Sequence, residues 1–274
     1  KIFPILLPIG LQMRHFMSGF LLLTSAFVVG CSDENVAAQA PNEASALSTA
    51  RVIDVAVSPA SPPTLYEKDG KIKGSDFDIF SAYCESRGCT MNITAYDWQG
   101  MLGAVSSGQA EVAFSGIGIT ERRQQAMDFS DPYAPVVVHL VALGKQAEPI
   151  TDLTTLKTLR IGYPRGMAFD DLIKEAFEPK GYYSVSQARL YPTYVEVAAD
   201  LQNGNIDLAF IEEPVLQYLT NRLQLPIKVV YSINVGVSFG FAFAKGSPLK
   251  DDFNQFLVEL GPTKIAEIIV EASK

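Results

Sequence analysis

The sequence predicts an α/β protein of two similar lobes, each a mostly parallel sheet flanked by helices. Three observations carry this. Short apolar runs alternate with amphipathic helical patterns from Arg51 to the C-terminus, the pattern expected of βαβ units and parallel strands. The alternation falls into two sets, one ending near Phe114 and the other beginning near Leu159. Apolar segments at 134–141 and 232–235 stand where the chain passes from one set to the other and back, and two crossings make a hinge.

In order, residues 52–57 read as a strand, 77–83 as part of an amphipathic helix, 91–96 as an alternating strand, 101–105 as helix and 110–114 as a buried strand. The second set starts with a strand at 159–163 and Gly166. Helix 168–177, strand 185–191, helix 194–201, strand 206–211 and helix 214–223 continue it. A strand at 237–244 and helices at 249–260 and 264–272 close the chain. This places lobe 1 at 51–136 plus 236–274 and lobe 2 at 137–235. In open α/β sheets ligands bind beyond the C-terminal ends of strands, and a cleft between lobes is a common seat for a small molecule.

The chain has 274 residues, 48% hydrophobic and 19% charged, a globular composition long enough for two cores. Its formal charge of −8 argues against nucleic acid, which needs clustered cations to neutralise phosphate. Residues 1–30 contain Lys1 and Arg14 and no acid. Met13-Arg14-His15 is a basic start to the apolar run 16–29, which is short for a membrane span. The run ends Val28-Val29-Gly30-Cys31 and resembles the lipobox of bacterial lipoproteins. That resemblance implies a signal peptide over 1–30, lipidation of Cys31, and an extracytoplasmic protein held at the membrane by its lipid. A plain signal peptide, or an anchor helix with an incidental cysteine, is the alternative. Residues 31–50, rich in Ala, Ser, Asn, Glu and Pro, read as a flexible tether. Cys84 and Cys89 flank Gly88 at a helix-to-strand reversal, which an exported compartment allows to close as a disulfide, with two free buried thiols as the alternative. His139 is the one histidine beyond the leader, so neither a metal nor another cofactor is expected.

The densest signal is Ser115-Gly116-Ile117-Gly118-Ile119-Thr120-Glu121-Arg122-Arg123, followed by Phe129-Ser130-Asp131-Pro132-Tyr133. A buried strand runs into a glycine turn that opens a short helix. Backbone N–H groups and a guanidinium there make a receptor for a carboxylate. Arg123 lies one helical turn beyond Thr120, which is suited to cap that helix, and so faces back to the turn. Arg122 is expected to face solvent.

These residues, with Pro62-Pro63, Gly74-Ser75-Asp76-Phe77-Asp78, Trp98-Gln99-Gly100-Met101-Leu102, Gly162 with Gly166, and Asn203-Gly204-Asn205-Ile206-Asp207 ahead of Glu212, resemble the bacterial solute-binding proteins of polar amino-acid uptake. The resemblance covers residues 51–274 and implies the two-lobe fold of type II periplasmic binding proteins with a two-stranded hinge. It implies that Arg123 grips a ligand α-carboxylate, with Ser115, Gly116, Gly118 and Thr120 as its cradle. It makes Trp98 a pocket wall, with Ser58 and Ser61 where relatives often carry an acid and an aromatic. In lobe 2 it implies that Gly166, Met167 and Ala168 offer a helix start, and that Glu212, where an aspartate is usual, meets the ligand ammonium. The implied activity is capture of a small amino acid or related carboxylate by a monomeric lipoprotein that serves an ABC permease, without catalysis. The same resemblance leaves two alternatives: a cyclohexadienyl dehydratase with Glu212 or Glu213 as general acid, or a ligand-sensing lipoprotein without an importer.

Overall fold

Short apolar runs form the strands, the central ones buried throughout, and the helices that link them cover their faces. The computed structural model describes residues 50–144 and 147–274; the leader, Cys31 and the tether lie outside them. Strand β1 (Arg51–Val57) buries Ile53, Val55, Ala56 and Val57. A small antiparallel meander follows, of β2 (Ala60–Ser61), β3 (Leu65–Lys68) and β4 (Lys71–Lys73). Then come α1 (Ser75–Arg87), β5 (Cys89–Ala95), α2 (Trp98–Ser106), β6 (Val112–Phe114), α3 (Glu121–Ala126) and β7 (Asp128–Phe129).

Strand β8 (Ala134–Leu143) crosses to the second lobe, which holds β9 (Ile161–Pro164), α4 (Phe169–Leu172), β10 (Arg189–Tyr191), α5 (Tyr194–Gln202), β11 (Leu208–Glu212) and α6 (Glu213–Gln217). Strand β12 (Ile227–Phe239) returns, and β13 (Ala242–Phe243), α7 (Leu249–Leu260) and α8 (Pro262–Ala272) complete the first lobe.

Both lobes share one plan. The first sheet has the order β5-β1-β6-β13-β7 and the second β10-β9-β11-β8-β12. In each, three adjacent strands are parallel and the next two pairings are antiparallel, so that only the fourth strand runs the other way. The expected fold class is therefore observed. β8 and β12 pair antiparallel from Ile227↔Leu143 to Phe239↔Ala134, with a register shift between Asn234 and Ser238. The domain limits at 136/137 and 235/236 fall inside these crossing strands.

Lobe 1 packs on an aromatic cluster of Phe80, Tyr83, Phe114, Phe241 and Phe253, with the Phe241 and Phe253 centroids 4.6 Å apart. Helix α7 supplies Leu249, Phe253, Phe256 and Leu257 at the i, i+4, i+7, i+8 spacing of one face. Lobe 2 centres on Tyr163, Phe169 and Phe210, with Phe169 and Phe210 stacked at 5.6 Å.

Four expectations are corrected. In the segment read as strand 185–191, only Arg189–Tyr191 is extended; Val185–Gln187 form a 3-10 turn because Ser184 and Gln187 close a capping box. The strand 237–244 is interrupted at Gly240 and Phe241, between β12 and β13, and Gly240 packs so closely that a Cβ there would lie 2.8 Å from Ile119 Cδ1. Helix 168–177 is α-helical only over Phe169–Leu172 and widens to a π-turn at Ile173–Phe177. Helix 214–223 does the same after Gln217, at Tyr218–Arg222.

Gly88 caps α1 in the left-handed region (φ 65°) and reverses the chain, which brings the Cα atoms of Cys84 and Cys89 to 4.5 Å, and the two side chains are bonded. Closing so short a loop stabilises by about 2 kcal/mol through the unfolded state. Cys84→Ser with Cys89→Ser is accordingly expected to lower the free energy of unfolding by about that amount in denaturant melts, without altering ligand affinity.

Candidate functional site

The C-terminal ends of the parallel strands of both lobes face one cleft. β1 ends at Val57 and β6 at Phe114; β9 ends at Pro164 and β11 at Glu212. Between them lies a cavity of about 720 Å³ lined from lobe 1 by Trp98, Gly116, Gly118, Thr120 and Arg123, and from lobe 2 by Met167, Ala168 and Glu212.

Arg123 is 5% exposed. The Thr120 hydroxyl caps α3 by accepting from the Arg123 N–H at 3.3 Å. One turn into the helix, the guanidinium folds back as the spacing requires. Its Nη1 donates to the Gly118 carbonyl at 2.8 Å, and its Nη2 crosses the cleft to the Gly166 carbonyl at 3.2 Å. Nε is buried without a hydrogen-bond partner. Trp98 lies under the group, its ring centroid 5.5 Å from Cζ, a cation–π distance. Burial, then the Arg122 charge, pulls the Arg123 pKa down to about 10, against the pull of Asp171 and Glu212. It stays charged at neutral pH.

Glu212 ends β11 on the opposite wall and is 7% exposed. The Tyr194 hydroxyl donates to it. Burial raises its pKa to about 7, opposed by a backbone hydrogen bond and the Arg123 charge. Its neighbour Glu213 turns away and meets His139 Nε2 at 2.5 Å, while His139 Nδ1 lies 2.9 Å from Ser232. His139 thereby ties the start of α6 to both hinge strands.

The cradle differs from expectation. The Ser115 hydroxyl donates to the Ser58 carbonyl at 2.5 Å, and the Gly116 N–H donates to Asp76 Oδ2 at 2.7 Å. Both donors are engaged inside lobe 1. Gly116 has φ 67° and Gly166 φ 79°, conformations that favour glycine. A Cβ on Gly166 would also sit 2.2 Å from Gln99 Nε2 and 2.9 Å from Trp98 Cδ1, so the lobes meet there closely. The Gly166 segment turns its carbonyl, not an N–H, toward Arg123. Ser58 and Ser61 are buried; Ser61 borders a notch of only about 10 Å³ shared with Thr64, Tyr194 and Glu212, and Ser58 lines neither space. Arg122, expected in solvent, reaches across the cleft to Asp171 at 3.2 Å, although its side chain stays 61% exposed. Asp171 stands on α4, and no local pattern links it to Arg122.

Asp76, Tyr133 and Tyr194 take roles here that no local pattern announces. Asp76 is wholly buried, and besides Gly116 it accepts the Tyr133 hydroxyl at 2.6 Å. It thus joins α1, the site turn and the segment before β8. Asp76 and Tyr133 nonetheless both lie within the motifs already singled out.

Residues 53–270 match the family of bacterial extracellular solute-binding proteins, family 3. The chain is similar to an arginine-binding periplasmic protein of Mannheimia haemolytica, 30% identical over 213 residues that cover 77% of this chain and 83% of the relative. Among solved structures, it is similar to an ancestral arginine-binding protein bound to arginine, at TM-score 0.70 and 25% identity, covering 80% of this chain and 97% of that one. An ancestral amino-acid-binding protein described as a precursor of cyclohexadienyl dehydratase superposes at TM-score 0.70 and 23% identity over 81% of this chain and 95% of that one, a likeness of fold.

Burial raises the Asp76 pKa to about 7, against the lowering by its Tyr133 and Gly116 hydrogen bonds. The folded state therefore holds a proton that the unfolded chain, near the ordinary value of 3.8, releases. Asp76 contributes stability that is present at acid pH and lost as pH rises from about 4 to about 7, and Glu212 acts in the same direction. Unfolding free energy of the ligand-free protein is expected to decline over that window, and Asp76→Asn to flatten the decline.

Proposed function

The chain belongs to the bacterial extracellular solute-binding proteins, family 3, and on that footing we propose that it captures an amino acid between its lobes and delivers it to the permease of an ABC-type importer. The observation that carries this reading is the pairing of a buried, charged Arg123, its Nε without a partner, with Glu212 on the facing wall of one cavity. The two walls offer opposite charges to a zwitterion. The guanidinium fork is shaped for a carboxylate, and an ammonium brought beside Glu212 stabilises its ionised form. Closure is favoured because only the closed cleft makes both sets of contacts. The arginine bound by the curated relative and by the ancestral protein supports an amino-acid ligand. Lipidation at Cys31, the extracytoplasmic location at the membrane and the monomeric state belong to the same proposal.

A second reading has one observation in its favour. A buried Glu212 with a pKa near 7 has the form of a general acid, as a dehydratase of ring acids needs. Turnover of prephenate or arogenate by the purified protein would establish it; the binding reading expects none.

Calorimetry on the purified chain with the twenty amino acids tests the main reading. At least one is expected to bind and to raise the melting temperature. Arg123→Ala is expected to weaken that ligand by ~3–5 kcal/mol, because a carboxylate is left unpaired in a closed site. Since Glu212 must ionise to meet the ammonium, affinity is expected to fall as pH drops below about 7, by up to about tenfold per unit, and Glu212→Gln to remove that dependence. If no amino acid binds, or Arg123→Ala binds as well as the parent, the proposal fails.

A further inference from the structure

Where the ligand's side chain goes follows from which parts of the cleft are filled. The Ser61 side is closed: the notch bounded by Ser61, Thr64, Tyr194 and Glu212 measures about 10 Å³, room for roughly one water. The Trp98 face is taken as well. Arg123 lies on it at 5.5 Å, and Gly166 is packed so close that a Cβ there would fall 2.9 Å from the ring. The open volume is bounded instead by the two hinge strands, together with α3 and α4. Its walls there are Val136 and Val138 of β8 and Ile233, Asn234, Val235, Val237 and Phe239 of β12, with Asn234 Oδ1 accepting the Gly236 N–H at 3.1 Å.

The charges in the cleft point the same way. Among the described residues that line it, the acids are Glu121, Asp171, Glu175 and Glu212. Asp171, on α4 away from the hinge strands, lies 3.2 Å from the exposed Arg122 in an ion pair, its Oδ2 buried without a hydrogen bond. Glu212 is engaged by Tyr194 and faces the ammonium in the reading above. Glu121 and Glu175 are exposed at the rim, where water screens any pairing. A guanidinium, ammonium or imidazolium on the ligand side chain would leave water along the hinge strands, whose lining residues carry no carboxylate to replace it.

We infer that the ligand is an amino acid with an uncharged, apolar side chain, which lies against the hinge-strand residues Val136, Val138, Ile233, Val235 and Val237. This rests on the amino-acid reading above and narrows it, away from the arginine of the relatives. Contact with both crossing strands also places the side chain where the lobes pivot, so its fit bears directly on closure.

The test is competitive calorimetry on the full chain with leucine, isoleucine, methionine and phenylalanine against arginine, lysine, histidine, glutamine and aspartate. An apolar amino acid is expected to bind at least about tenfold more tightly than any of the charged or polar ones. A polar or charged amino acid that binds as tightly overturns the inference and leaves the capture function standing. Absence of binding by every amino acid overturns both. Val235→Asp, on the half-buried bulge of β12, places a carboxylate in the slot. It is expected to weaken the apolar ligand by about tenfold or more and to improve arginine relative to it. An unchanged order of affinities in folded Val235→Asp would put the side chain elsewhere and overturn the inference; the parent protein's order decides the matter if that variant does not fold.

Discussion

A guanidinium removed from water has to be answered by something, and the architecture around Arg123 is organised by that need. Two carbonyls, one from each lobe, take its Nη donors, and an indole lies beneath it. Carbonyls and a ring soften the desolvation but bring no formal negative charge. Asp171 and Glu212 stand near enough to raise its pKa without bonding to it. The site is therefore poised rather than satisfied, and in the proposed function a small anion completes it.

The rest of the first lobe holds that group in place. Asp76 reaches both the Gly116 N–H and the Tyr133 hydroxyl, so the turn that aims α3 is fastened to α1 and to the approach to β8. The same turn is bonded to the end of the returning hinge strand, with the Ile119 N–H donating to Ser238 at 2.9 Å and the Gly240 N–H to Ile117 at 3.0 Å. The turn that aims Arg123 and the hinge are thus one hydrogen-bonded piece. In the second lobe, His139 fixes the head of α6 against both crossing strands, which sets the direction from which Glu212 enters the cleft. Two sheets of like topology meet strand end to strand end, with Arg123 buried on one wall and Glu212 on the other.

Local chemistry was legible in the sequence; tertiary partnership was not. The Thr120-to-Arg123 spacing announces a cap and a returning side chain because one helical turn decides both. Helix α7 was legible at its full length, Leu249–Leu260, because its apolar face repeats without interruption. The apolar run over 185–191 gave no warning that Ser184 and Gln187 would close a 3-10 turn there. Ser115 and Gly116 looked like free donors, since nothing local reveals that the Ser58 carbonyl and Asp76 reach them across the lobe. Arg122 looked like a solvated charge because Asp171 stands on another lobe. The slot along the hinge strands is created by two segments about a hundred residues apart in sequence, so no window of the chain contains it.

Trp98 is the only indole in the chain, and it lies at the meeting of the lobes, in contact distance of the buried cation and under Gly166. Every photon of tryptophan emission from the folded protein therefore originates at this one spot. Separation of the lobes would wet the ring and move its spectrum toward the red, and re-engagement would reverse the shift. The molecule carries its own optical gauge of opening, with no label to attach and no second indole to obscure it.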